Sequence, residues 1–322
     1  MSGWHPSSRP EAARRRAAML DRARQYFLTE DVMPVDTPSL SPFAASDPHI
    51  DSLRVYASSG GRFFLRTSPE FHMKRLLAAG YPSIYSICRV FRDGEIGKRH
   101  LPEFTMIEWY RLGFKLPAIV ADAATLIAHC LDDASLIDSA FVIDYRDAFA
   151  RFAGIDVLTA SLDELASSAK ADKSLRKTLG KNRDMWLDLV LAAVVAPKFA
   201  ADRLTVLQHF PASKAALARL CPDDRQLADR FEIFMGSMEL ANGYVELTDA
   251  AEQRRRIDSE LQQRRNMLRT VAPRDERLLQ ALDAGLPRCA GVAVGVERLQ
   301  MLLDGTDDIG DVVTFSFEAG DS

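Results

Sequence analysis

Between Cys88 and Tyr110 the chain reads CRVFRDGEIGKRHLPEFTMIEWY, two strand-like runs joined by a polar loop. In the second run, alternation puts Phe104, Met106, Glu108 and Tyr110 on one face. That face offers a flat aromatic, a carboxylate and a phenol in a row. Packing alone would not choose Glu108 there, because an unpaired buried charge is costly. The competing reading is a Glu and a Tyr on a solvated sheet edge. The first run ends in Arg92, and the loop adds Lys98, Arg99 and His100. Converging positive charge on a loop suits a phosphate chain.

A second constellation is FEIFMGSMELANGYVELTD, residues 231–249. Asn242, Tyr244 and Glu246 share one face of a strand, and Glu232 and Glu239 add carboxylates. Simple alternation puts Glu239 opposite Asn242 unless a bulge near Gly243 intervenes. Carboxylates in this number suit a hard cation such as Mg²⁺ or a substrate ammonium, with surface decoration as the plain alternative. The third is GVAVGVERLQ, residues 291–300. Its small residues let a backbone approach a ligand closely. Arg298 falls in the first turn of the next helix, where a cation needs an anionic partner; otherwise it is an exposed arginine.

These groups need a scaffold. Helical spacing is predicted over 10–28, 116–135, 158–200, 249–269, 274–284 and 296–303. Ser68-Pro69-Glu70 opens a further helix ending at Gly80, with Ser68 as its N-cap. Strands are predicted at 32–38, 63–66, 84–92, 104–111, 204–208, 231–246 (broken at Gly236) and 291–295, with 39–61 a loop. The expected fold is α+β, a mostly antiparallel sheet flanked by helices.

Together the three segments resemble class II aminoacyl-tRNA synthetases, in particular the lysyl branch. Phe91-Arg92, then His100 and Pro102-Glu103-Phe104-Thr105, match motif 2; Gly295-Val296-Glu297-Arg298 matches motif 3. The first helix and Pro38 look like motif 1, which builds the dimer interface in that family. The run from Thr67 to Leu76, with 102–110 and 239–249, is closer still to the bacterial elongation factor P–(R)-β-lysine ligases, truncated lysyl-synthetase paralogues. Two positions depart from motif 2. Gly94 stands where a Glu normally reads adenine, so Glu95 either takes over or the contact is lost, and Leu101 replaces a usual Asn.

The resemblance implies that a substrate carboxylate is joined to the α-phosphate of ATP, giving an adenylate and pyrophosphate. No enzyme nucleophile is required, and no Ser/His/Asp or Cys/His arrangement is apparent. Catalysis would rest on positioning and charge stabilisation. By the resemblance, Arg92 contacts the α-phosphate and carboxylate, and Phe104 stacks on adenine. Arg298 lies on the other adenine face or near the γ-phosphate, and His100 assists the phosphate tail. Glu232 and Glu239 hold Mg²⁺. Glu70, beside Ser68, takes the amino group near the carboxylate. Glu108, Tyr110 and Glu246, with Asn242 nearby, grip the terminal ammonium. Ala293 stands where lysyl-tRNA synthetases usually carry Gly, and its methyl favours β-lysine over α-lysine. One methyl discriminates by only about 1–3 kcal/mol.

Composition narrows the partners. With 41 Lys+Arg against 45 Asp+Glu the net charge is −4, which argues against a protein built mainly to grip a polyanion. Hydrophobic residues at 47% exclude disorder as the main state. The four cysteines stand singly, without a Cys-x-x-Cys pair, so a zinc site is not expected and thiols are read as reduced. No signal peptide or membrane span is apparent, and a cytoplasmic protein is expected. Residues 1–11 read as a disordered tail and 12–322 as one catalytic domain, with no room for an anticodon-binding domain. The resemblance therefore points to elongation factor P as acceptor, a homodimer, and tRNA as an improbable partner. A compact lysyl-tRNA synthetase and a non-catalytic regulatory paralogue are the alternatives. Arginine clusters at 14–16, 254–256 and 264–265 read as solvated helix faces rather than docking surfaces.

Overall fold

The computed structural model describes residues 4–58 and 60–317. In chain order its first half is α1 (Pro10–Thr29), β1 (Met33–Pro34), β2 (Leu40–Ser41), β3 (Arg54–Tyr56), β4 (Arg62–Leu65), α2 (Glu70–Ala78), β5 (Ile84–Phe91), β6 (Glu103–Leu112), α3 (Leu116–Leu131) and α4 (Ser135–Asp138). The second half is β7 (Phe141–Asp144), α5 (Tyr145–Ala153), α6 (Leu162–Ser168), α7 (Lys173–Leu179), α8 (Arg183–Val190), β8 (Leu204–Pro211), β9 (Leu227–Met235), β10 (Met238–Val245), α9 (Ala250–Asn266), α10 (Glu276–Gly285), β11 (Cys289–Gly295) and α11 (Val296–Asp304).

Eight strands form the main sheet in the order β1-β5-β6-β11-β10-β9-β8-β7. Its inner pairings are antiparallel, while β1–β5 and β7–β8 are parallel edges. Alternation divides its two faces. Ile107, Trp109, Val292, Val294 and Ile233 pack behind the sheet with α1, α3 and α11. On the front, Tyr110 joins α2, α9 and α10 in a smaller core. A third core packs β7 and β8 against α5, α6 and α8. The front face between these helices remains for a cleft.

Several expectations need correction. The predicted helix over 158–200 is three short helices followed by a π turn and a 3-10 turn. Its stops lie within it: Ser161, Asp172 and Asn182 each accept a backbone N–H as N-caps, and Gly180 has φ +51. The 39–61 loop holds β2 and β3, which pair with β4 in a three-stranded sheet. Strand β7 and helix α5 were not anticipated. The N-cap of α2 is Pro69 rather than Ser68, although the Ser68 hydroxyl still accepts the Glu70 N–H at 2.9 Å. In the segment expected to be disordered, residues 1–3 lie outside the described residues. Pro10 and Glu11 open α1, and the Ser7 N–H donates to the Thr314 carbonyl at 2.8 Å.

Candidate active site

Strand register builds the site row by row. One row across the sheet is Ser86, Glu108, Ala293, Asn242 and Glu232; the next is Ile84, Tyr110, Gly291, Tyr244 and Arg230. The register shift lies between Glu239 and Ala241, earlier than Gly243, and it brings Glu239 onto the same face as Asn242. The resulting cleft has a volume of about 430 Å³. Every residue assigned to the site from sequence lines it: Ser68, Glu70, Arg92, Glu95, His100, Phe104, Glu108, Tyr110, Glu232, Glu239, Asn242, Glu246, Ala293 and Arg298.

At one end lie carboxylates around a lysine. Lys74, 2% exposed, reaches Glu70 Oε1 at 2.7 Å and Glu246 Oε2 at 2.5 Å. The Tyr244 hydroxyl donates to Glu70 Oε1 at 2.7 Å. Glu108 accepts from Ser68 Oγ and from the Tyr110 hydroxyl, both at 2.7 Å. Glu246 Oε1 and Asn242 Oδ1 are buried acceptors without a hydrogen-bond partner. Burial, then the charge of Glu70, raises Glu108 to about 7. Burial also raises Glu246, to about 8, against the opposing pull of Lys74. Burial disfavours the Lys74 charge too, but Glu246 and Glu70 outweigh it and hold the ammonium above its ordinary range. Unpartnered acceptors and reluctant carboxylates are what an incoming ammonium would satisfy.

Lys74 was not singled out from the sequence, and Gly291 only as one of a run of small residues. Lys74 stands in a helical run, where a lysine normally signals solvent, and only the packing of α2 onto the sheet buries it. A Cβ on Gly291 would lie 2.5 Å from the Tyr110 ring and 2.6 Å from Glu246 Oε1. The small-residue run around it was the available sign. Gly291→Ala must therefore displace Tyr110 or Glu246, at about 1–3 kcal/mol. Thermal unfolding should show that loss, together with a raised KM for the amino acid; unchanged values of both would refute the assignment.

The other end is cationic. The Arg92 guanidinium lies 5.1 Å from the Phe104 ring centre and 3.5 Å from Glu95 Oε1. Gly94 has φ +77, a turn that an L side chain rarely adopts, and Glu95 follows it into the cleft. Leu101 is buried, packing into the main core on one side and lining the cleft on the other. Arg298 donates to the Glu239 carbonyl at 2.9 Å and stands 2.9 Å from His100 Nε2. Its partners are thus Glu239 and His100, while Phe104 is covered by Arg92. Burial and then Arg298 lower the His100 pKa, favouring the neutral imidazole. Lys98 does not converge with these groups; it faces Asp307 at 4.0 Å. At the mouth, Glu260 of α9 accepts from Ser46 Oγ at 2.5 Å and is raised to about 7 by burial.

The arginine clusters are not simply solvated faces. Arg16 donates to Glu297 at 2.9 Å and to Thr105 Oγ1 at 2.6 Å, and Glu297 accepts the Thr105 N–H. That bridge ties α1, the start of β6 and α11 together behind the cationic end. Arg264 is 4% exposed and donates to the Asp47 and Ile50 carbonyls. Arg256 caps the Ala216 and Ala218 carbonyls.

A largely antiparallel sheet flanked by helices, with buried carboxylates at one end of its cleft and arginines at the other, has the architecture of a class II synthetase catalytic domain. The family model for class II tRNA synthetases (D, K and N) matches residues 6–319. The chain is 40% identical over 323 residues to a protein of Sodalis glossinidius (strain morsitans), covering 98% of each chain. It is 40% identical over 321 residues to one of Proteus mirabilis and 38% over 320 to one of Avibacterium paragallinarum, again covering 98% of each. All three relatives are named elongation factor P–(R)-β-lysine ligase. The chain belongs to this family of ligases within the class II synthetases.

Proposed function

We propose that the protein activates (R)-β-lysine with ATP and transfers it to the ε-amino group of a lysine on elongation factor P. The observation that carries this reading is the charge of the buried pocket. Three glutamates, Glu70, Glu108 and Glu246, face one lysine, Lys74, so the ionised pocket carries 1 − 3 = −2. A lysine isomer brings two ammonium groups. In the first step a substrate carboxylate oxygen bonds to the α-phosphorus and pyrophosphate leaves. In the second, the acceptor amine attacks the acyl carbon, loses a proton to solvent, and AMP leaves.

Arg92 and Arg298 neutralise the phosphates and the charge that develops on them. Phe104 offers the adenine a stacking face, and Glu95 an acceptor near it. Neutral His100 orients Arg298 and contributes a hydrogen bond to the phosphate tail. Glu232 and Glu239 suit a magnesium ion: burial, then Glu239, raises Glu232 to about 7, and a hard dication would relieve that repulsion. When bound, Mg²⁺ would offset triphosphate charge. Glu70, Glu108, Glu246 and Asn242 orient the two ammonium groups, and Ala293, between Glu108 and Asn242, shapes the wall.

The rest of the reading is one catalytic domain over residues 12–322, dimeric through α1 and the Pro38 segment, working in the cytoplasm without tRNA. No helix of the described residues is long and apolar enough to cross a membrane. ATP–pyrophosphate exchange with α-lysine and (R)-β-lysine, then acceptor assays with elongation factor P and tRNA, tests it. Preferred exchange with the β isomer and acylation of the protein are expected. Acylated tRNA with unmodified protein would overturn it, and absence of exchange would favour a regulatory paralogue.

Ammonium binding should depend on pH. Glu108 and Glu246 hold protons up to about 7 and about 8, so a cationic ligand must expel them. Affinity therefore rises from about pH 6 to about pH 8, by up to about tenfold per unit for each proton expelled. Calorimetric titration with lysine isomers checks the trend, and a flat profile would contradict it.

A further inference from the structure

At the far end of the sheet, β8 is irregular between Gln208 and Phe210, and His209 there has φ +55. A non-glycine residue in that region is held by its surroundings. His209 Nδ1 lies 2.9 Å from Asp144 Oδ1, and Gln208 Nε2 donates to the same oxygen at 2.9 Å. That contact leaves Nε2 as the nitrogen available to a ligand. Cys221 and Asp229 are both buried. One ring nitrogen of His209, the Cys221 sulfur and an Asp229 oxygen lie within 4.8 Å of one another. The Cys221 thiol donates to Asp229 Oδ1 at 3.1 Å, and Arg219 Nε holds Oδ2 at 2.7 Å.

We propose that His209, Cys221 and Asp229 bind one Zn²⁺ ion, with the fourth position open to water on the exposed side of His209. Nitrogen, sulfur and oxygen donors suit a borderline-soft ion and not Mg²⁺. The histidine is already oriented by a carboxylate, as metal-binding histidines usually are. Asp229 is fixed through Oδ2, which accepts from Arg219, leaving Oδ1 free once the thiol proton leaves. Tetrahedral ligands at about 2.0–2.3 Å stand roughly 3.5 Å apart, so the donors need to close by about an ångström. On binding, the thiol proton passes to solvent and the thiolate and Oδ1 share the ion. No electron is exchanged. The ion would fasten β8 and β9 to the 215–221 segment, whose Ala216 and Leu217 line the active cleft. The Arg219 N–H and Leu217 carbonyl in turn bond the chain on either side of Glu246.

The full chain, free of added metal, is titrated with Co²⁺ in excess Mg²⁺ and then with Zn²⁺. One Co²⁺ per chain should produce a near-ultraviolet thiolate-to-cobalt charge-transfer band that Zn²⁺ removes. Cys221→Ser should abolish the band, and Glu239→Gln, in the other carboxylate site, should leave it. Asp144→Asn should weaken binding by about 10–100-fold. Should Cys221→Ser not fold, His209→Ala at its partly exposed position serves instead, with a binding loss of at least about tenfold expected. Cobalt bound without the band, a band that survives Cys221→Ser, or unaltered binding in His209→Ala would each overturn the proposal.

Discussion

Glu246→Gln is expected to lower amino-acid-dependent ATP–pyrophosphate exchange by about two to three and a half orders of magnitude, the equivalent of about 3–5 kcal/mol for a broken buried charge pair. Glu246 contributes an ion-pair oxygen to Lys74 and a second, unpartnered oxygen to the cleft. The amide keeps the volume but has no charge, and its NH₂ would face a cation. The damage should fall on amino-acid binding, with ATP affinity near normal, because the arginines lie at the opposite end. Alanine would confuse the result: Lys74 would lose a partner and a void would open beside Tyr110. Exchange within about threefold of wild type would remove Glu246 from the substrate site, since that is well under one broken buried pair.

The legible part of this protein was its alternation. Period-two spacing placed Phe104, Glu108 and Tyr110 on one face, and the sheet confirms it. Asn242 and Glu246 follow the same rule, with Glu239 brought in by an irregularity whose position alternation cannot give. What escaped depends on tertiary packing. The i,i+4 spacing of Glu70 and Lys74 is visible in the sequence, but nothing there says that Glu246, far along the chain, will bury the lysine as its second partner. Arg16 and Arg264 look like surface charge until the partners that bury them arrive from residues far along the chain. The short helices of 162–190 were misread because hydrophobic period was weighed above the Asp172, Gly180 and Asn182 signals inside it.

Lys74→Met tests whether that lysine is the internal counterion of the pocket, and the expected cost is about 3–5 kcal/mol near pH 8. The pH dependence separates charge from packing. Glu246 and Glu108 have folded pKa values raised above the unfolded range, to about 8 and about 7, so the folded state holds their protons more tightly. Stability from such groups is greatest below the unfolded pKa of about 4.5 and is lost as pH rises toward the folded values. Removing the Lys74 cation raises those values further, so the variant should fall more steeply. The contribution of Lys74 itself, whose folded pKa is raised, is constant across this window, being lost only on the alkaline side. The deficit of the variant should therefore be small at pH 5 and grow toward pH 8. Urea unfolding at both values measures it. An equal deficit at the two would mean that Lys74 acts by packing its stem, and that its charge is not the counterion of the pocket carboxylates.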